Sequence, residues 1–352
     1  MEAPAVNPND HAIVIAIRRY ADVGAGWITE LQGPDNDATA VATWLKSPEG
    51  GGLLDDNVRV VWAAEAPEEL VGADAIPDQK SVISALDEVA QLPRDRYEHQ
   101  YAGRRLYVYI SGHGWAREPD EAALVTAEAT KANPLNVLVT SWTRWMHKAA
   151  IFRELVLWAD TCATRAPPVA LRPCVLDESV SANLRKVRVF EGFAAPLGQR
   201  AVEAKMPDGK WHGAFTYALL EGLKGAAPSP VTSDTLRGYL HNATKEFIAA
   251  EDRKRKTVAQ EPAFGRTDEI VFATPPRAAF PVTLPFAPEC LGRRIAVATS
   301  RTSAPVAETV LQDPEWNIEL EAGVWGAFVD GSETTKLFEV AGGGADGVVT
   351  VP

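Results

Sequence analysis

Two short apolar runs, each stopping on a reactive side chain, constrain this chain more than any other feature. Leu106-Tyr-Val-Tyr-Ile110 leads into Ser111-Gly-His-Gly114, and Leu155-Val-Leu-Trp158 leads into Ala159-Asp-Thr-Cys162. Apolar runs of this length, bounded by glycine or polar residues, are the pattern of strands buried on both faces of a parallel sheet. In an open α/β sheet the functional groups lie just past the carboxyl ends of the strands. Two strands pointing the same way put His113 and Cys162 on one edge. A thiol within hydrogen-bond reach of an imidazole is an activated nucleophile.

The rest of the chain fits around these runs. Ala12 to Ile17 and Val58 to Trp62 are further strands, and Val187 to Ala195 and Glu269 to Ala273 follow later. Helices are marked by apolar residues at helical spacing. Ala38, Val41, Ala42 and Leu45 follow a start where Asp35 or Asn36 serves as N-cap, and Val82, Leu86 and Val89 form a second face. Trp142, Trp145, Met146 and Ala149 read as a core stripe, and two more helices cover 214–224 and 236–247. Strands alternating with helices predict an α/β fold with a mostly parallel sheet flanked by helices. Residues 163–184 show no periodicity; a loop of that length in a compact domain is functional or mobile. After the Pro-rich stretch at 274–281 the period drops to two, through Trp316, Ile318, Leu320, Trp325, Phe328, Phe338 and Val340. The expected division is therefore a domain at 1–275 and a small C-terminal antiparallel β-domain, a sandwich, at 276–352.

Several function classes drop out. No apolar run is long enough to span a membrane, and the N-terminus lacks the pattern of a signal peptide. Three scattered cysteines make no disulfide framework, so the expected setting is the cytoplasm, where a thiol stays usable. A net charge of −12 argues against nucleic acid as a partner, and Arg253 to Lys256 reads as a solvated helix end. Gly342 to Gly347 matches a dinucleotide fingerprint by letters but has no helix after it, so it reads as a hairpin. His11, His99, His147, His212 and His241 have no partner at ligand spacing and read as surface or core residues, so no metal site and no cofactor are expected.

Cys162 follows His113 by 49 residues, and a His about fifty residues upstream of the nucleophile is a caspase signature. Ser111-Gly-His-Gly114 resembles the S-G-H-G segment of the caspase and metacaspase superfamily, and Asp160-Thr-Cys162 resembles the D-x-C of metacaspases and prokaryotic caspase-like peptidases. Leu31 to Ala38, Gly213 to Leu223 and Gln260-Glu-Pro262 are similar to three further segments of those proteins, in the same order. The resemblance covers about residues 10–275 and implies a caspase-like fold and a cysteine endopeptidase. It assigns His113 as base, Cys162 as nucleophile, and the N–H groups of Gly114 and Cys162 as the oxyanion hole. It assigns Asp160 and Asp37 to the pocket for the residue before the cut. Two carboxylates there favour Arg or Lys and exclude acidic side chains. Asp37 has an alternative reading as a helix cap.

The expected partner is then a protein or peptide substrate. Arg165, Arg172, Arg185, Lys186 and Arg188 make the 163–188 segment a candidate for self-cleavage. Some metacaspases need Ca²⁺, but no loop here has Ca²⁺-ligand spacing. The alternative is a catalytically silent scaffold whose β-domain recruits a regulatory partner; that module is the candidate partner surface in either case.

Overall fold

The computed structural model describes residues 6–24, 27–62, 76–165, 170–177, 180–259, 261–274, 279–298, 305–321, 323–331, 335–340 and 349–350. The chain divides into two units, Met1–Lys224 with Pro230–Thr274, and Pro275–Pro352 with Gly225–Ser229.

The first unit begins with β1 (Asp10–Ala16), α1 (Pro34–Lys46), β2 (Val58–Val61) and α2 (Gln79–Ala90). The first apolar run forms β3 (Gly103–Gly112). It is followed by three short strands, β4 (Gly114–Ala116), β5 (Ala123–Val125) and β6 (Asn136–Leu138), and by α3 (Val139–Lys148). The second run forms β7 (Phe152–Thr161), with β8 (Thr164–Arg165) just past it. Then come β9 (Arg188–Phe193), β10 (Glu203–Lys205), β11 (Trp211–Gly213), α4 (Ala214–Glu221), β12 (Val231–Thr232), α5 (Ser233–Ala243), α6 (Ala250–Arg253), β13 (Ala263–Thr267) and β14 (Val271–Ala273).

The central sheet runs β13-β9-β7-β3-β1-β2. All its neighbours are parallel except β13, which pairs antiparallel with β9. The chain steps from β1 outward to β2, then returns to β3 on the other side of β1, so a topological switch point lies between β1 and β3. Crevices at the carboxyl ends of strands flanking such a point are where α/β sheets place their ligands.

Alternate residues of the buried strands serve opposite faces. Ile13, Ile15, Val108, Ile110, Leu155 and Leu157 face a core shared with Val82 and Leu86 of α2 and Trp142 and Met146 of α3. On the other face, Trp44 of α1 meets Tyr107 and Trp158 edge-on, with ring centroids 6.2 and 5.9 Å away. Tyr109 shares a 2.8 Å hydrogen bond with Thr216 of α4. Truncating a fully buried aromatic such as Trp158 costs about 3–5 kcal/mol, so the strands that carry the reactive residues also anchor the core.

The structure corrects the sequence reading in several places. The edge strand of the sheet is β13, at 263–267, where no strand is expected. β14, the expected last strand, pairs instead with β12. A four-stranded sheet, β6-β5-β4-β8, sits just past the two reactive runs. The N-cap of α1 is Gly33, with Pro34 in the first turn and no capping side chain from the helix itself. Arg253 to Lys256, by contrast, are the solvated helix end expected: Arg253 closes α6 and Lys254 to Lys256 continue beyond it, all four exposed.

The second unit holds β15 (Ala279–Pro285), β16 (Arg294–Ala298), β17 (Ala307–Val310), β18 (Glu315–Glu321), β19 (Gly323–Val329), β20 (Thr335–Val340) and β21 (Val349–Thr350). They form two sheets, β18-β15-β21 and β17-β16-β19-β20. All described pairs are antiparallel except β15 with β21. Val282, Leu284 and Leu320 of the first sheet pack with Val297, Trp325, Ala327 and Phe338 of the second, so the two sheets close on one core. Trp325 and Ala327 point inward, which leaves Phe328 half-buried, as a period of two requires. The glycine run at 342–347 and Gln260 lie outside the described residues. Among the described residues no helix is long and apolar enough to cross a membrane.

Candidate active site

The pairing of β3 with β7 fixes the site. The two strands are parallel and in register from Gly103↔Phe152 to Ser111↔Asp160 and Gly112↔Thr161. Past the sheet the same offset resumes, with Trp115↔Thr164 and Ala116↔Arg165 in β4 and β8. Each of these pairs is 49 residues apart, as are His113 and Cys162. The spacing is therefore the register of the sheet. His113 and Cys162 fall between two matched pairs, and hydrogen-bonded neighbouring strands lie about 4.8 Å apart. In-register parallel neighbours also project their side chains to the same face.

The backbone at this turn is held by close packing. Gly112 has a φ of +151°, and a Cβ there would stand 2.9 Å from the Tyr20 hydroxyl. That hydroxyl accepts a 2.8 Å hydrogen bond from the His113 N–H and donates to the Ile17 carbonyl. The Tyr20 and His113 rings are 5.0 Å apart. Gly114 abuts the other run: an added Cβ would lie 2.6 Å from Cβ of Thr161 and 2.8 Å from the Cys162 carbonyl. Gly114 is thus small because β4 presses on the end of β7, and it stands outside the residues lining the cavity.

His113 Nε2 lies 2.7 Å from the Thr29 carbonyl. A carbonyl only accepts, so Nε2 carries the proton and Nδ1 of the neutral ring is the basic nitrogen. Burial pushes the His113 pKa down, opposed by the Thr29 carbonyl, and the Arg200 charge lowers it further. Burial pushes the Cys162 thiol up; Arg200 pulls it down, and Asp160 and Glu203 push it up. Both shifts favour the uncharged forms, a neutral imidazole and a thiol. Cys162 Sγ sits 4.0 Å from the Ala201 carbonyl.

Both residues face a cavity of about 170 Å³ walled by Leu31 and Asp37 after β1, Ser111 to His113, Asp160, and Arg200 to Glu203 with Gly213. The structure therefore brings together four of the five residues singled out in the sequence: His113, Cys162, Asp160 and Asp37. It adds a third carboxylate, Glu203, and the cation Arg200, neither legible beforehand.

Each carboxylate is held by backbone donors from another element. Asp160 Oδ2 accepts from the Thr216 N–H at 3.1 Å and its hydroxyl at 2.6 Å, capping α4 from a neighbouring strand. Glu203 Oε2 accepts from the N–H groups of Gln32 and Gly33, both at 2.8 Å, at the start of α1. Asp37 accepts from the Gly213 N–H at 3.0 Å and from His212 Nδ1 at 2.7 Å. Asp37 is the fourth residue of α1 and does not cap that helix, whose N-cap is Gly33; its Oδ2 instead meets the N–H of Gly213, the N-cap residue of α4. His212 is a core residue, as read, but has two carboxylate partners, Asp37 and Asp208.

Burial raises the Asp37 pKa to about 6, against the pull of His212 and Gly213. Burial and the Asp37 charge raise Asp160 to about 7, against the Thr216 hydrogen bonds. Asp37 and Asp160 therefore hold their protons to higher pH than free carboxylates do. Gly213 allows the arrangement: a Cβ there would fall 2.0 Å from Asp160 Oδ2. Among the described residues, no group of three or more His, Cys, Asp or Glu side chains is placed to hold a metal ion.

No protein-family model matches the chain. It is similar to a probable protease of a Desulfuromonadales bacterium, 26% identical over 270 residues; the match covers 71% of this chain and 30% of that protein. The chain thus spans less than a third of the length of this curated relative. Among solved structures it is similar to caspase-1 from Spodoptera frugiperda, with a TM-score of 0.49 and 12% identity, covering 78% of this chain and 95% of that one.

Proposed function

We propose that this chain is a caspase-like cysteine endopeptidase of the metacaspase type that cuts peptides after Arg or Lys. The observation that supports the reading is the 49-residue register, which brackets His113 and Cys162 where both line a cavity with three carboxylates. The relative named as a probable protease supports the broader class.

In this reading Nδ1 of His113 takes the Cys162 proton as sulfur attacks the scissile carbonyl, and returns it to the leaving amine. The Thr29 carbonyl holds the ring in the required tautomer and favours the imidazolium that forms. The N–H groups of Gly114 and Cys162 serve the oxyanion, each contributing about 3–4 kcal/mol if their positions match the developing charge. A basic side chain before the cut enters the cavity and meets Asp160, Asp37 and Glu203. An acidic side chain meets three like charges and is rejected. Arg165, Arg172, Arg185, Lys186 and Arg188 are all exposed, so the chain carries its own candidate cleavage sites, and self-processing there follows from the same specificity.

Paired fluorogenic peptides with Arg or Asp before the leaving group test this. The Arg peptide is turned over and an Arg chloromethyl ketone labels Cys162. Turnover of the Asp peptide in preference to the Arg peptide would sink the specificity. Labelling that spares Cys162 would sink the nucleophile.

A further inference from the structure

We propose that His212 is a positioning residue for this cavity, clamped between Asp37 and Asp208 so that Asp37 stays ionised beside Asp160. The inference rests on the basic-residue specificity proposed above and adds the group that sets the charge of the pocket. His212 is 4% exposed and sits on β11, in the hairpin whose other strand, β10, carries Glu203. Its Nδ1 lies 2.7 Å from Asp37 Oδ1 and its Nε2 lies 3.0 Å from Asp208 Oδ2.

A neutral imidazole donates from one nitrogen only. Two ionised carboxylates at its two nitrogens are both satisfied only by the imidazolium. The charged and titratable groups against it are Asp37 on α1, Asp208 in the hairpin turn and Tyr217 on α4, whose ring is 5.7 Å away; Asp160 on β7 and Glu203 on β10 line the cavity that Asp37 also lines. The carboxylates outweigh burial and raise the His212 pKa.

The geometry also explains why the clamp reaches the cavity. Asp208 is tied into its turn by the Lys210 N–H at 3.0 Å, and α1 is tied to the hairpin by Asn36 Nδ2 donating to the Trp211 carbonyl at 2.9 Å. Asp37 is 1% exposed. Without a counter-charge, a carboxylate so buried and so near Asp160 takes up a proton instead. With the imidazolium in place, both acids act on a cationic substrate side chain. His212 touches no reacting atom; it acts through Asp37.

His212→Gln keeps a donor for Asp37 and removes the charge. The expected result with an Arg peptide at pH 7 is a KM raised tenfold or more, a kcat changed less than threefold, and a rise of kcat/KM with pH displaced upward by about one unit. A peptide with an uncharged residue before the cut is little affected. Asp208→Asn, at the outer end of the clamp, shifts the same profile in the same direction by less. A purely structural role predicts instead an equal loss on both peptides at every pH.

Should His212→Gln fail to fold, NMR titration of the His212 ring in the Cys162→Ala protein supplies the test. The ring titrates above 6.5 and falls in Asp37→Asn. A ring that titrates below 6.5, or a His212→Gln enzyme with the wild-type KM and pH profile, overturns the proposal. A wild type inactive on every basic-residue peptide overturns the specificity itself, a different outcome from either.

Discussion

Asp160→Asn measures what it takes to hold a carboxyl in the cavity. Asp160 is 6% exposed, and burial together with the Asp37 charge lifts its pKa from 3.8 to about 7. About three pH units at about 1.36 kcal/mol each amount to roughly 4 kcal/mol of folding free energy lost when this group ionises. The sign follows from proton counts. Between about pH 4 and pH 7 the folded chain keeps a proton here that the unfolded chain has released. Stability from this group is therefore present at low pH, declines through that window, and is gone above it. In Asp160→Asn the amide oxygen still accepts from Thr216, so α4 keeps its cap while the ionisation penalty disappears. Urea melts should be run in the Cys162→Ala background, where no self-cleavage can occur. They are expected to show the Asn variant about 2–4 kcal/mol more stable at pH 8, with the difference shrinking toward zero near pH 4.5. In the active background the same substitution lowers kcat/KM for Arg peptides a hundredfold or more, on the order of 3 kcal/mol. Function and stability then oppose each other at one residue. An Asn variant less stable at pH 8, or a difference that does not change with pH, refutes the reasoning.

Other outcomes follow from the same geometry. His113→Ala lowers kcat by roughly 10²–10⁴ without changing the melting temperature by more than a few degrees, read by single-turnover kinetics and thermal melts. Gly213→Ala places a methyl 2.0 Å from Asp160 Oδ2; melts and kinetics together are expected to show a destabilised protein with little activity on Arg peptides. For wild type, kcat/KM on an Arg peptide rises from pH 5.5 to 7.5 as Asp37 and Asp160 ionise, near about 6 and about 7. Because burial holds His113 below its ordinary pKa, the base is already neutral over most of that range. An uncharged-residue peptide therefore levels off at lower pH, and identical profiles for both peptides would contradict the assignment.

How much of this was legible depends on whether the signal is local. The two apolar runs, their reactive ends and the spacing between them are local, and they put Asp160 near the end of β7 and His113 and Cys162 just past two paired strands, where the structure has them. The number 49 stands in the sequence, yet only strand pairing reveals it as a register. Glu203, Arg200 and His212 lie where periodicity says nothing, and His212 meets Asp37 across 175 residues. One signal was available: Pro207-Asp-Gly209 is a turn sequence between two short segments, and it marks the β10–β11 hairpin that carries both Glu203 and His212. β13 escapes because Ala263-Phe-Gly-Arg-Thr267 is short, half-buried and interrupted by a glycine whose Cβ would lie 2.4 Å from Glu191 Oε2. The cap of α1 escapes because its donor-accepting carboxylate, Glu203, arrives from 170 residues away.

The most direct test of the central claim is digestion of a peptide library of mixed sequence by wild type and by Cys162→Ala, with every new terminus read by mass spectrometry. Cuts confined to the carboxyl side of Arg and Lys, and absent from the Cys162→Ala digest, are the expected result. Cuts after Asp or Glu, or a Cys162→Ala digest that matches the wild type, would contradict it.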